Sequence, residues 1–326
     1  MNTSAAFRAP VGGRDRVAEP AHPPGVPALR RGPAVRVRGL VKRYGMRTVV
    51  DGVDLDVRRG ECFALLGPNG AGKTTTVEIM AGLRRRDAGE VTVLGEDPAV
   101  ASRRWRDRIG VVGQRTSAGD ALTVAETIAH YAHYHALVRD GAELVDAVGL
   151  TGTAHTRVDR LSGGQRRRLE VALGVQGQPE LLFLDEPTTG LDPAARRQFW
   201  TLVEELRNAG TTVLLTTHYL DEAAHLADRV GVIVNGRLVE VAPPDRLGAR
   251  LRREATVRWT EDGMQREVVT PTPAALLRRL LAAATETEVP GLTVTRPGLE
   301  EVYLRLIATT PTPGPVRSGI GRGDSR

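Results

Sequence analysis

Cys62-Phe63-Ala64-Leu65-Leu66-Gly67-Pro68-Asn69-Gly70-Ala71-Gly72-Lys73-Thr74-Thr75 joins a uniformly apolar run to a glycine-rich loop that closes on Lys-Thr. Five apolar residues bounded by turn formers predict a strand buried on both faces, as in parallel sheets. A helix is predicted to follow from about Lys73 to Ala81, ending at Gly82. Gly67 to Thr74 fits the pattern G-x(4)-G-K-[ST] in the context it requires, a strand before and a helix after. The residue types follow from phosphate chemistry. Glycines let successive backbone N–H groups turn inward on anionic oxygens, and the helix N-terminus adds its positive end. Lys73 suits the outer phosphates, and the Thr74 hydroxyl suits Mg²⁺. The chain holds two lysines, Lys42 and Lys73, beside 43 arginines. An ammonium kept in this loop of an arginine-rich chain marks a place where a broad guanidinium does not fit.

On the N-terminal side, alternation in Val35-Arg36-Val37-Arg38 and from Val49 to Val57 predicts antiparallel strands with one wet face. On the C-terminal side, residues from about 118 to 160 read mainly as helices, broken near Gly141 and across Gly149-Leu150-Thr151-Gly152. Buried strands Leu181–Leu184 and Thr212–Thr216 flank a long helix from about Pro193 to Ala209. Such alternation predicts a largely parallel sheet. Past residue 247 the style changes. Short strands (Ala255–Trp259, Glu267–Val269, Leu292–Thr295) and helices Pro273–Ala284 and Leu299–Ile307 predict a small α/β appendage without a catalytic constellation. Residues 1–33 and 308–326, rich in Pro, Gly and Arg, read as disordered extensions.

Leu181-Leu182-Phe183-Leu184-Asp185-Glu186-Pro187 is an apolar strand ending in two carboxylates. A parallel sheet delivers such ends to the crevice where ligands bind. Asp185 is the candidate Mg²⁺ partner, through water, and Glu186 the candidate base or orienting group for an attacking water. Alone, the pair also fits the acidic first turn of a helix. Leu161-Ser162-Gly163-Gly164-Gln165 reads locally as a helix N-cap at Ser162, followed by glycines and the cationic run Arg166-Arg167-Arg168.

Taken together, these motifs resemble the ABC ATPase family, whose signature is LSGGQ, over about residues 34–245. The resemblance implies an α/β P-loop NTPase cassette at 34–247, with a mostly parallel core sheet, an antiparallel β subdomain and a helical subdomain at about 115–160. The small C-terminal α/β unit then occupies 248–307. It implies that the loop of Ser162, Gly163, Gly164 and Gln165 closes over ATP held by a second copy, in a head-to-tail homodimer with two ATP molecules at the interface. By the same resemblance Tyr44 stacks on adenine, Gln114 contacts Mg²⁺ or water and couples to a permease, Asp192 belongs to a loop crossing between subunits, and His218 contacts the γ-phosphate. Read locally, these four are an isolated aromatic, a polar loop residue, a helix N-cap and a loop histidine. With Gly67 to Thr75 as the cradle, Lys73, Gln114, Glu186 and His218 form the catalytic set, and Thr74, Gln114 and Asp185 the Mg²⁺ set, of a competent ATPase.

Three further stretches, Pro187 to Pro193, Thr217 to Ala223 and Gly298 to Leu304, resemble bacterial exporter ATPases of the daunorubicin/multidrug-resistance type and extend the match to about residue 307. That implies separate membrane permease chains and export of a drug, antibiotic or lipid-like compound. An import subunit is one alternative, because the catalytic motifs do not encode direction. A soluble ABC ATPase acting on nucleic acid or ribosomes is another; such proteins carry two cassettes or a long coiled coil, whereas this chain has one phosphate loop and no sustained heptads.

Composition agrees with this reading. The net charge of +6 sits in the ends: residues 1–40 carry +5 and residues 308–326 carry +2, leaving −1 for the body. A near-neutral body gives no basic groove, and no nucleic-acid partner is expected. No apolar run approaches the roughly 18 residues of a membrane span, and the first residues lack the apolar core of a secretory signal. Arg30-Arg31 is followed by no hydrophobic stretch. One cysteine, Cys62, in an apolar run, reads as a buried structural thiol. A cytoplasmic chain held peripherally at the inner face of the membrane is expected. His130, His133 and His135 lack a completing carboxylate or thiol and read as a solvated helical face. The runs Arg84–Arg86 and Arg166–Arg168 read as exposed helix-end and helix-face charges.

Overall fold

The computed structural model describes residues 32–113, 121–135, 137–249, 251–261, 263–283 and 288–308. The extensions at residues 1–31 and 309–326, and Gln114, lie outside those residues. Strands β1 (Val35–Tyr44), β2 (Arg47–Val57) and β4 (Ala88–Val93) form an antiparallel sheet in the order β2-β1-β4. The alternation read in the sequence is the alternation of its faces: Val35, Val37, Val53, Leu55 and Val57 are buried while Arg36, Arg38 and Asp54 are exposed.

The central sheet has six strands in the order β5-β6-β7-β3-β8-β9. They are β3 (Cys62–Leu66), β5 (Ile109–Val112), β6 (Leu181–Asp185), β7 (Thr212–Thr217), β8 (Arg229–Val234) and β9 (Arg237–Ala242). The first five are parallel neighbours, and β9 turns back antiparallel on β8. Asn235-Gly236 makes that reversal with both residues at positive φ, the geometry of a two-residue hairpin. Every residue of β3, β6 and β7 is buried. Successive side chains of β3 serve opposite faces: Cys62, Ala64 and Leu66 join one apolar core, and Phe63 and Leu65 the other. Burial pushes the Cys62 thiol far above its ordinary value, so it acts as a small hydrophobe.

Helix α1 (Lys73–Met80) packs with β1 and β2 on the Phe63 face. The short α2 (Arg103–Arg106) buries Trp105 there, its indole N–H donating to the Val93 carbonyl at 2.8 Å. The opposite face is covered by α3 (Val124–Ala132), α4 (Gly141–Ala147), α5 (Gly163–Val175), α6 (Pro193–Asn208) and α7 (Leu220–Leu226). The break expected near Gly141 lies between the end of α3 at Ala132 and the start of α4 at Gly141. Asp140 accepts from Ala142 N–H (2.9 Å) and Glu143 N–H (3.0 Å), so the acidic cap rather than the glycine sets the boundary.

Beyond Leu247, β10 (Ala255–Glu261), β11 (Met264–Thr270) and β12 (Thr293–Thr295) form a second antiparallel sheet, β11-β10-β12, with α8 (Pro273–Ala283) beside it. The last helix, α9 (Leu299–Ala308), was grouped by sequence with this appendage. Its Tyr303 belongs to the main core, with Leu299, Leu306 and Ile307 packed against it. Among the described residues no helix is long and apolar enough to cross a membrane.

Candidate active site

The chain leaves β3 at Leu66 and reaches α1 through the loop from Gly67 to Gly72. Gly72 caps α1 at φ 101°, and a Cβ there would lie 2.6 Å from the Val49 carbonyl oxygen; one on Gly67 would lie 2.3 Å from that of Ile233. Both glycines are therefore required by close backbone approach, which presses the loop against β2 and β8. Ala71 is buried, donates its N–H to Pro68 O (3.2 Å) and accepts from Gly236 N–H (3.0 Å). The loop thus frames a cleft of about 610 Å³, lined by Tyr44, Asn69, Gly70, Gly72, Lys73, Thr74, Thr75 and Glu186, with Arg47, Val49 and Arg84 at its edge. Tyr44 is half exposed, and Lys42 Nζ and Arg84 Cζ lie 5.5 and 5.4 Å from its ring centre.

Lys73 is 4% exposed and sits at the floor of the cleft. Its ammonium donates to Gly67 O (2.8 Å) and Pro68 O (3.2 Å) and pairs with Glu186 Oε1 (3.1 Å). At the end of β6, Asp185 Oδ1 accepts from the Thr216 hydroxyl at 2.5 Å and the Thr74 hydroxyl at 3.3 Å. Burial holds the Asp185 carboxyl above its ordinary value, against the two hydroxyl hydrogen bonds; Glu186 adds to the rise and Lys73 opposes it. The donor set of a hydroxyl and a desolvated carboxylate, both hard oxygen ligands, is suited to Mg²⁺.

Glu186 has left-handed backbone, φ 47°, a cost of about 1–3 kcal/mol that concentrates at functional sites. Its N–H is held by the Thr216 hydroxyl (2.9 Å) and carbonyl (3.2 Å). Its second carboxylate oxygen lies 3.5 Å from His218 Nδ1 and accepts from the Thr189 hydroxyl at 3.4 Å. His218 follows β7 and packs on Tyr219, ring centres 4.1 Å apart. Parallel β3, β6 and β7 therefore bring Lys73, Asp185, Glu186 and His218 to one end of the sheet.

The remaining candidates lie elsewhere. Ser162 caps α5 in a reciprocal box: its Oγ accepts from Gln165 N–H (3.2 Å) and Gln165 Oε1 from Ser162 N–H (2.9 Å). Neither Ser162, Gly163, Gly164 nor Gln165 lines the Lys73 cleft; Gly163 instead lines a second cleft of about 430 Å³ with Glu186, Thr189, Gly190 and Leu191. Asp192 caps α6, accepting from Ala194 and Ala195 N–H at 2.9 Å each, and those bonds hold its carboxyl below its ordinary value. Gln114 lies outside the described residues, directly after Gly113.

Two readings of arginine are corrected. Arg167 is not an exposed helix-face charge: it is 8% exposed, and its guanidinium is hydrogen-bonded to Glu170 and to the carbonyls of Gly113, Asp185 and Pro187. The signal was its i,i+3 pairing with Glu170, masked by arginines on either side. Arg84 is not simply a helix-end charge, because it borders the cleft beside Tyr44. Thr216, unremarkable in an apolar strand, fixes both Asp185 and Glu186.

Behind His218, α7 buries Glu222 completely. Its carboxyl faces Thr217, Thr188, the Trp200 indole and Arg196, yet burial dominates and holds its pKa above the ordinary 4.5. Protonated in both states at low pH, it ionises first in the unfolded chain as pH rises, so its contribution to stability falls on going from below 4.5 upward through the folded pKa. A Glu222→Gln variant should lack this loss. In thermal denaturation from about pH 5 to pH 8 its Tm should gain on the parent's as pH rises; a constant offset would show that Glu222 does not titrate there.

Residues 50–189 match the family model described as ABC transporter. The chain is 44% identical over 230 residues to the Nod factor export ATP-binding protein I of Ralstonia nicotianae, covering 69% of this chain and 71% of that one. It is 47% identical over 212 residues to the daunorubicin/doxorubicin resistance ATP-binding protein DrrA of Streptomyces peucetius, covering 63% of this chain and 64% of the relative. A solved structure of an ATP binding subunit of an ABC transporter superposes with a TM-score of 0.61 at 26% identity, covering 67% of this chain and 92% of that one. With its phosphate loop, paired carboxylates and histidine gathered at one end of the sheet, the chain belongs to the ABC transporter family, as an ATP-binding subunit that hydrolyses ATP.

Proposed function

We propose that this subunit powers export of a drug, antibiotic or lipid-like compound through separate membrane permease chains, working as a head-to-tail homodimer held peripherally at the cytoplasmic face of the membrane. The single observation that carries the catalytic part is the convergence of Lys73, Asp185, Glu186 and His218, with Glu186 within 3.1 Å of Lys73 and 3.5 Å of His218. Adenine stacks on Tyr44, and the backbone from Gly67 to Thr75 with Lys73 cradles the phosphates. Thr74 and Asp185 would hold Mg²⁺, with Gln114 as a further proposed ligand, and the ion would supply charge neutralisation for the phosphate oxygens. Glu186 orients the attacking water and accepts its proton, and His218 holds the γ-phosphate in line. Ser162 to Gln165 and Asp192 serve the nucleotide of the second copy; that none of them lines this chain's own Lys73 cleft supports that assignment. The printed names of the relatives support export.

Capture of the full-length chain from detergent-solubilised native membranes tests the proposal. The expected result is a polytopic membrane protein recovered in stoichiometric amount, whose presence raises ATP turnover. Recovery only from the soluble fraction, with ribosomes or nucleic acid, overturns the export reading and leaves the ATPase standing.

A further inference from the structure

Arg167 lies two residues beyond the Ser162–Gln165 loop, on the first turns of α5, with its guanidinium buried against the sheet. Nε donates to Pro187 O at 2.8 Å and Nη2 to Asp185 O at 3.0 Å. Nη1 donates to Gly113 O at 2.7 Å and pairs with Glu170 Oε2 at 2.6 Å. Two of these acceptors flank Glu186, the residue with left-handed backbone. The planar fork therefore holds the carbonyls of the two residues that flank Glu186, Asp185 and Pro187, a task of geometry that a single ammonium cannot perform. The third acceptor belongs to the residue directly before Gln114.

We infer that Arg167 is a positioning residue for hydrolysis, setting the backbone of Glu186 from the helix whose N-terminus carries Ser162. This rests on the proposed role of Glu186. Three segments distant in sequence meet on one side chain, so a shift of α5 moves the carbonyls on either side of Glu186 together. In the head-to-tail dimer Ser162 serves the partner's nucleotide while Glu186 serves its own. Arg167 thereby links engagement of one ATP to alignment of the carboxylate at the other. It does not line the Lys73 cleft and lines instead the neighbouring one shared by Gly163 and Glu186, so its effect falls on turnover more than on the affinity of this chain's own phosphate loop.

The test compares ATP hydrolysis by the full-length chain with Arg167→Lys, with the double variant Arg167→Met/Glu170→Met, and with Glu186→Gln. The double variant removes the buried ion pair as a unit, so no unpaired charge is left inside. Both Arg167 variants should keep KM for ATP within about two-fold of the parent while kcat falls roughly ten-fold or more, as expected when a reacting group is misplaced by a fraction of an ångström to an ångström. Parental kcat in either folded Arg167 variant overturns the inference. So does a rise in KM that matches the fall in kcat, or loss of cooperative unfolding in both variants, since either makes Arg167 a strut of the fold alone. Parental turnover in Glu186→Gln overturns the role of Glu186 itself and is distinguished by that variant alone.

Discussion

Glu186→Gln is expected to lower ATP turnover by roughly a hundred-fold or more while leaving ATP binding intact, the loss expected when a positioned base is removed. The argument rests on what the substitution leaves in place. Glutamine matches the shape of glutamate, and the backbone N–H of residue 186 stays anchored on Thr216. Lys73 loses one partner but keeps the carbonyls of Gly67 and Pro68, so its ammonium remains satisfied and available to phosphate. The variant loses the carboxylate's capacity to take a proton from water. Under the dimer proposal, ATP that binds but does not hydrolyse holds two copies closed. Phosphate release, equilibrium nucleotide binding and size-exclusion chromatography with ATP together check this outcome. A slow variant that binds ATP and runs as a dimer supports both assignments. Rapid phosphate release removes Glu186 from the mechanism, and lost binding would make Glu186 a support of the cleft.

The same residue shows how far the chain could be read without coordinates. The apolar stretch before Asp185-Glu186 predicted a buried strand with carboxylates at its tip, and the parallel sheet delivers them there. Local patterns of this kind are legible because a strand and a phosphate loop are specified by adjacent residues. The left-handed backbone of Glu186, its hold on Thr216 and the guanidinium spanning its two neighbours were not legible, because they join β6, β7 and α5 across the fold. Arg167 was misread for that reason. Three successive arginines look alike in sequence, and only the helix phase against the sheet separates the one that turns inward. The last helix shows the same limit. Its amphipathic pattern was plain, but the surface that takes Leu299, Tyr303, Leu306 and Ile307, the main core, is set by tertiary packing. Ser162 and Asp192 are a different case. Their capping was readable, and capping is what a single chain has for them to do; the nucleotide contacts proposed for them require a second copy.

Lys73 supplies the other large effect. Lys73→Ala should weaken ATP binding by about ten- to a hundred-fold, the loss of one hydrogen bond made by a charged donor at about 1.5–3 kcal/mol. Lys73→Arg should fail to restore it. The side chain is 4% exposed and its ammonium is ringed by Gly67 O, Pro68 O and Glu186 Oε1, all within 3.2 Å. Three donors on one small atom suit that enclosure, and a planar guanidinium does not. Both changes also disturb a largely buried partner: Ala takes the ammonium from Glu186 Oε1 and leaves the carboxylate only Thr189 and His218 on its other oxygen, which by itself can destabilise the fold. Lys73→Met combined with Glu186→Gln removes both charges and separates the two effects. Thermal denaturation with and without ATP provides the readout, because a ligand that binds only the folded state stabilises it by RT ln(1 + [L]/Kd) and so raises Tm more the tighter it binds. At one fixed ATP concentration the parent and Glu186→Gln should gain Tm, whereas Lys73→Ala, Lys73→Arg and the double variant should gain markedly less. If Lys73→Arg gains as much as the parent, positive charge alone is what the loop requires, and the survival of lysine there among 43 arginines must have a cause other than the size of the ammonium.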